Sequence, residues 1–325
     1  MPTELKVVLI VVGVLLLLTI IVGFIHCHIE KKFIFSRRCD RTEFSLQDKP
    51  LSNFKNMQYK DFCFTSCKSI LRGRFYYKEN LDSNPIIIFC HGYGAGHEAY
   101  LTEIDYYINR GYTCIGFDCR GCKLSDGKIT HFGASIQDLT ALYNYLEEIN
   151  FLQEKPLFLW GHSWGGYTAL AGSTFPKVKK IIAFAPFDKP LKIIFSQSKK
   201  IIKGLANFLI PFRFVYYGLR YGKFFNISSY KTIENSKKPA LIFFGEKDQI
   251  IGKVTYNFKD NVTTVFCQDK AHNPYNTTLA EQELANTITA LNSAQDKKEF
   301  LNTVDYEKIT EQDLDILQKT IDFLK

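Results

Sequence analysis

The segment Gly161-His162-Ser163-Trp164-Gly165 sets a serine between two glycines. An apolar run, Pro156–Trp160, precedes it, and small residues from Gly166 to Gly172 follow. That order predicts a strand, a sharp turn and a helix, with the serine oxygen projecting from the turn. Glycine is needed on either side because a Cβ there would strike the neighbouring strand or helix. The helix lends its N-terminal N–H groups and dipole to developing negative charge. The chemistry such a turn serves is nucleophilic attack. A serine hydroxyl is a poor nucleophile at neutral pH. It needs a neutral imidazole to take its proton, and a carboxylate to orient that imidazole and stabilise its charged form. Of the seven histidines, His26 and His28 abut an apolar N-terminal stretch, His162 belongs to the turn itself, and His91, His97 and His131 precede it. Only His272 lies late, after the run Thr263–Cys267. It is the expected base, and Asp248, at the tip of Leu241–Asp248, is the expected acid. Glu246 and Asp188 are alternative acids. The competing reading of Asp248 and His272 is a turn aspartate and a surface histidine.

A second loop, Phe89-Cys-His-Gly-Tyr-Gly-Ala-Gly96, follows the apolar run Ile86–Phe89. Its glycines allow backbone N–H groups to turn inward. The N–H groups of Tyr93 and Trp164 are the expected oxyanion donors, and losing one such donor raises a barrier by about 3–4 kcal/mol. The His91 ring is expected to hold the loop in shape rather than to act as a base. Cys119 and Cys122 have a C-x-x-C spacing, but neither a second ligand pair nor a helix start accompanies them, so they read as ordinary thiols. No metal or cofactor is implied.

These residues need a scaffold. The chain has 325 residues, 46% apolar and 23% charged, which suits one large α/β domain or two small ones and excludes a disordered or collagen-like chain. Nine cysteines, odd in number and irregular in spacing, point to a reduced compartment rather than a disulfide scaffold. From Met57 onward, residues 58–68 and 70–78 read as two opening strands. Short apolar runs follow at Pro85–Cys90, Thr113–Phe117, Pro156–Trp160, Lys180–Ala185, Ala240–Phe244 and Thr263–Cys267. Most are continuous in Ile, Val, Phe and Leu, as for strands covered on both faces. Helix-length segments lie between several of them, among them Ser135–Ile149 with apolar residues at helical spacing. This alternation predicts a mainly parallel, doubly wound sheet with its ligand site at the carboxyl ends of the strands.

Ahead of the sheet, Val7–Ile25 is an unbroken, uncharged run of 19 residues, enough to cross a hydrocarbon core of roughly 30 Å. It is longer than the apolar part of a signal peptide and ends in His26-Cys27-His28, which does not resemble a cleavage site. The expected organisation is a tail (1–6), a transmembrane helix (7–25), a juxtamembrane connector (26–56) and the catalytic domain (57–325). Lys31, Lys32, Arg37 and Arg38 after the run outweigh Lys6 before it, which puts the domain in the cytoplasm. Triplets at Asn226, Asn261 and Asn276 match the glycosylation pattern but are expected by chance in a chain this rich in Asn, Ser and Thr. Cys27 and Cys39 are candidates for acylation, and His26-Cys27-His28 for a metal. A plain linker is the simpler reading of both.

Taken together, the motifs resemble the α/β-hydrolase superfamily over residues 57 to 325. The chain is similar to its membrane-anchored serine hydrolases, grouped with serine-aminopeptidase-like and prolyl-oligopeptidase-like domains. The matching residues are His91-Gly-Tyr-Gly94, Arg110-Gly-Tyr112, Asp118-Cys-Arg-Gly-Cys-Lys-Leu-Ser-Asp-Gly127, and Phe132-Gly133 with Asp138. The chain order Ser163, Asp248, His272 is the one this fold uses. Departures are Cys122 in place of a glycine, Ala271 before the histidine, and a long C-terminal region, 279–325. The resemblance implies an α/β-hydrolase fold with a helical lid, here about 188–238. It also implies activities like those of relatives that are lipid esterases or acyl-thioesterases depalmitoylating proteins.

Lys189 to Lys223, within that lid, carries eight Lys and Arg residues and no Asp or Glu, equal to the whole chain's formal charge of +8. Seven Phe and Tyr residues interleave with them. Such a segment suits an anionic membrane surface and an acyl chain, or else merely covers the site with its lysines solvated. No nucleic-acid-binding module surrounds it. The expected activity is hydrolysis of carboxylic esters or thioesters of acyl chains by a membrane-tethered enzyme. A serine peptidase on the same residues is the alternative, and a non-catalytic scaffold a weaker one.

Overall fold

A computed structural model describes residues 1–36, 38, 49–81 and 84–325. Eight strands form one sheet. They are β1 (Gln58–Ser66), β2 (Ser69–Tyr77), β3 (Ile86–Cys90), β4 (Thr113–Phe117), β5 (Leu157–His162), β6 (Val178–Phe184), β7 (Ala240–Gly245) and β8 (Val262–Cys267). Their order across the sheet is β1-β2-β4-β3-β5-β6-β7-β8. β1 and β2 form an antiparallel hairpin, β2 pairs antiparallel with β4, and all other pairs are parallel. The six runs read from the sequence are thus the parallel strands β3 to β8. Only β8, at the edge, is half covered.

Twelve helices accompany the sheet among the described residues: α1 (Thr3–Ile34), α2 (Leu101–Ile108), α3 (Ala134–Glu148), α4 (Trp164–Ala171), α5 (Pro190–Ile202), α6 (Leu205–Phe208), α7 (Ile210–Tyr221), α8 (Ser229–Ser236), α9 (Thr278–Ser293), α10 (Lys297–Asn302), α11 (Tyr306–Ile309) and α12 (Leu314–Leu324). Alternate residues of each central strand feed opposite faces. Ile86, Ile88 and Cys90 join Leu139, Leu142, Tyr167, Leu170 and Ile233 of α3, α4 and α8. Ile87 and Phe89 join Ile104, Tyr107, Leu317 and Ile321 of α2 and α12. Burying each such side chain contributes about 1.5–3 kcal/mol, which is why near-continuous apolar strands end up between two helical layers.

The lid is shorter than expected. α5, α6 and α7 form it. α8, at the end of the 188–238 stretch, packs on α4 and buries Tyr230 and Ile233 in the core. The long C-terminal region resolves into α9–α11, which share a small cluster of Leu284, Leu291 and Ile309, and α12, which closes one face of the sheet.

α1 is the one helix among the described residues long and apolar enough to cross a membrane. It does not stop at Ile25. It runs unbroken to Ile34, so the first part of the expected connector is helix and not linker. Cys27 is fully buried and closed to acylation, while Arg37 and Cys39 lie outside the described residues. His28 Nδ1 meets the Tyr216 hydroxyl at 3.1 Å and His26 Nε2 approaches Glu30, so the two histidines serve packing.

A buried ion pair ties the hairpin to the layer of helices. Asp138, one turn into α3, accepts bonds from Arg120 N (3.0 Å), Arg120 Nε (2.9 Å) and Ser66 Oγ (2.7 Å). Asp138→Ala strands the Arg120 guanidinium without a counter-charge. It is expected to destabilise the fold by about 3–5 kcal/mol, read as a lower denaturant midpoint with an unchanged slope.

Candidate active site

Ser163 caps α4 at the end of β5 with φ +54° and ψ −114°, a left-handed conformation that a non-glycine residue adopts only under constraint. The flanking glycines make the turn possible. A Cβ on Gly161 would sit 2.2 Å from the Gly165 carbonyl oxygen, and one on Gly165 would sit 1.8 Å from that of Cys90. The Ser163 N–H donates to Phe184 O on β6 at 2.8 Å, and Tyr167 N returns to Ser163 O at 3.0 Å, so strand and helix both grip the turn.

His272 and Asp248 converge on this serine. His272 Nε2 lies 2.9 Å from Ser163 Oγ, and His272 Nδ1 lies 2.8 Å from Asp248 Oδ2. The other carboxylate oxygen, Oδ1, accepts the N–H groups of Ile250 (2.7 Å) and Ile251 (3.0 Å). Burial pushes the Asp248 pKa up, but the bond to His272 and these two N–H groups outweigh it, leaving the carboxyl below its ordinary range. An ionised acceptor fixes Nδ1 as the protonated nitrogen and leaves Nε2 facing the serine with a lone pair. The alternative acids stand elsewhere. Glu246 is exposed, and Asp188 accepts the Ser228 hydroxyl ahead of α8.

The Gly-rich loop after β3 comes to the same place. The His91 ring spans it: Nδ1 bonds Gly92 O at 2.8 Å and Nε2 accepts Cys119 N–H at 2.9 Å. The acceptor at one end and the donor at the other set the tautomer. Burial, the larger effect, lowers the His91 pKa against the pull of Asp118, keeping the ring neutral. The Tyr93 and Trp164 rings pack edge to face with centroids 5.7 Å apart, so the two residues expected to supply oxyanion donors are neighbours. Trp164 is the first residue of α4, and its N–H has no acceptor within the helix.

Two supports were not read from the sequence. Glu281, on α9, accepts the N–H groups on both sides of His272, from Ala271 at 2.7 Å and Asn273 at 2.8 Å. The spacing of ten residues across a turn carries no local signal. His162 is the other. Its Nε2 lies 2.9 Å from the His272 carbonyl, which can only accept, so Nε2 carries the proton. Its Nδ1 therefore accepts from the Tyr100 hydroxyl at 2.9 Å, whose oxygen receives Gly92 N–H at 2.9 Å. One chain of bonds thus links the loop at Tyr93, the serine turn and the His272 loop.

Cys119 and Cys122 are buried, and burial pushes the Cys119 thiol well up, which removes a reactive thiolate. Among the described residues no group of three or more His, Cys, Asp or Glu side chains is placed to hold a metal ion.

Comparison with known proteins agrees with this architecture. A family described as the alpha/beta hydrolase fold matches residues 85–209, which include β3 to β6, the serine turn and the start of the lid. An esterase from Pyrococcus furiosus superposes over 78% of this chain and 94% of its own, with a TM-score of 0.53 at 21% identity. The chain has the α/β-hydrolase fold. Among curated proteins, the chain is 32% identical to a polyketide transferase of a Penicillium species over 107 residues, 31% of this chain and 36% of the relative. It is 32% identical to a lysophosphatidylserine lipase of Danio rerio over 95 residues, 28% of this chain and 24% of the relative. The chain therefore matches about a third of one relative's length and a quarter of the other's.

Burial, with the neighbouring His272 second, pushes the His162 pKa down to about 3, and burial followed by Arg120 does the same to His131. An unfolded histidine takes its proton near 6.5, so as pH falls through that value the unfolded state binds protons first and gains stability relative to the fold. The melting temperature is expected to decline steadily from pH 6.5 towards 3, and less steeply in His131→Asn and His162→Asn variants. A scan of melting temperature against pH checks this.

Proposed function

We propose that this α/β-hydrolase is a membrane-tethered serine hydrolase that cleaves carboxylic esters or thioesters of acyl chains. The observation that carries the reading is the line of two hydrogen bonds, Ser163 Oγ to His272 Nε2 at 2.9 Å and His272 Nδ1 to Asp248 Oδ2 at 2.8 Å. As Ser163 Oγ bonds to the substrate carbonyl carbon, its proton passes to His272 Nε2, and Asp248 stabilises the imidazolium. The carbonyl oxygen becomes an oxyanion held by the N–H groups of Tyr93 and Trp164. Collapse breaks the bond to the alcohol or thiol, which leaves with the proton from His272. Water then loses a proton to the same nitrogen, attacks the acyl-serine and releases the acid, restoring Ser163. No metal or cofactor takes part in these steps.

The lid supports this substrate class. A peptidase that recognises a free N-terminus needs a carboxylate near the entrance, yet Lys189 to Lys223 contains none, and Asp188 is engaged by Ser228. Exposed Ile201, Leu205, Phe208 and Leu219 suit hydrocarbon. Similarity to an esterase, a lysophosphatidylserine lipase and a polyketide transferase supports acyl chemistry. The Val7–Ile25 stretch of α1 is read as a membrane span, with Lys31, Lys32 and Arg38 after it favouring a cytoplasmic domain and the basic lid facing anionic lipid.

Full-length protein in detergent is expected to be labelled by a fluorophosphonate probe. Ser163→Ala is expected to abolish labelling, and His272→Ala to slow it at least about a thousandfold. Undiminished labelling of the Ser163→Ala variant would assign the reactive group to another residue.

A further inference from the structure

The lid helix α7 is packed along α1, and the contacts pair off in parallel order. Phe212 lies against Gly23 and Phe24, so closely that a Cβ on Gly23 would sit 2.6 Å from its ring. Tyr216 meets Phe24 and His28. Arg213 and Tyr217 meet Glu30, with Arg213 Nε 3.0 and 3.1 Å from its two oxygens and the Tyr217 hydroxyl 3.2 Å away. Phe35 packs on Tyr217. Arg213 is buried and Glu30 is half-buried, and the lid between Lys189 and Lys223 carries no acid of its own.

This pairing sets a depth. Gly23 and Phe24 lie inside the uncharged run Val7–Ile25, three and two residues before His26. At 1.5 Å per residue Phe212 lies about 3–4.5 Å below His26, at the shallow edge of the roughly 5–10 Å depth at which amphipathic helices seat themselves. Around it the lid exposes Leu205, Phe208, Ile210, Val215 and Leu219, the last 83% exposed. Lys199, Lys203 and Lys223 are exposed on the same lid, available to headgroups. The far end of the seam reaches the catalytic residues. The Tyr93 hydroxyl donates to the Ile34 carbonyl, Phe35 packs on Phe132 at 5.0 Å, and Phe132 touches Trp164 at 6.3 Å.

We propose that α6 and α7 are seated in the bilayer beside α1, latched at that depth by the Glu30–Arg213 pair, so that the entrance to Ser163 opens onto membrane lipid. The inference rests on the reading of α1 as a membrane span. It identifies the substrate as an acyl lipid resident in the bilayer. The lid is thereby part of the membrane-binding surface and not a cover facing water.

The test uses full-length protein in vesicles of phosphatidylcholine and phosphatidylserine whose phosphatidylcholine chains carry bromine, a contact quencher of indole emission. Single variants Phe208→Trp and Leu219→Trp are compared with Leu16→Trp in the middle of α1 and Lys319→Trp on α12, each against the parent protein. Quenching at positions 16, 208 and 219, with none at 319, is the expected result. Quenching at 16 without quenching at 208 and 219 overturns the proposal and leaves the span intact. No quenching at 16 removes the span, and with it the premise. In the Phe208→Trp background, Glu30→Ala is expected to reduce quenching and Glu30→Gln to reduce it less, with fluorophosphonate labelling of Ser163 reporting that the fold persists. Unchanged quenching in both overturns the latch. Leu219→Asp is expected to make hydrolysis of a vesicle-borne ester about tenfold slower relative to that of a water-soluble short-chain ester, from the loss of one buried leucine. An unchanged ratio overturns the assignment of the substrate to the bilayer.

Discussion

The structure turns on a backbone crossing too tight for side chains. At Gly161 and Gly165 the strand leaving the sheet and the helix entering its face pass close enough that any Cβ would overlap a carbonyl oxygen. That approach forces Ser163 into a left-handed conformation and aims its oxygen away from the sheet. Everything else at the site is arranged around that fixed oxygen. β5 ends at the turn of Ser163, whose N–H β6 accepts, β7 ends in the turn that carries Asp248, and β8 ends in the turn that leads to His272. Three parallel strands thus deliver three groups to one edge because parallel strands share a carboxyl end.

The second layer of the site is built from loops that hold one another. His91 joins the loop after β3 to that after β4, His162 joins the serine turn to the His272 loop, and Glu281 clasps that loop from the C-terminal region. These are two buried neutral rings, one half-buried carboxyl group and the backbone groups they bond, where each satisfied bond orients its neighbour and each lost one leaves a costly orphan. Two histidines that cannot serve as bases are therefore what holds the geometry of the one that can.

The sheet and the serine turn were legible in the sequence because their signals are local. Strands buried on both faces read as apolar runs, and the turn reads as glycines at fixed offsets from a serine. Asp248 and His272 were legible as types and positions after strands, though not as a contact, since distance in space leaves no trace in spacing. Glu281 and the Tyr100–His162 relay were not legible for that reason. The lid's composition was visible, but its extent was not. α8 is amphipathic like α7, and only packing separates a helix lying on α4 from one lying on α1. The stretch after Ile25 read as a linker because charge and His replace Leu and Val there. Helical continuity depends on backbone bonding and on a partner for Glu30, neither of which hydropathy reports.

That continuity has a mechanical consequence. A flexible connector would let a catalytic domain roam a hemisphere about its tether, with a reach that grows as the square root of linker length. Here the helix enters the domain without a break, and its last turn is bonded to the loop that carries Tyr93. On the reading of α1 as a span, the domain is mounted on a mast rather than held on a leash. Its height and facing are set when the chain inserts. It patrols by lateral diffusion alone, and acyl groups displayed far above the bilayer are out of range however well they would fit.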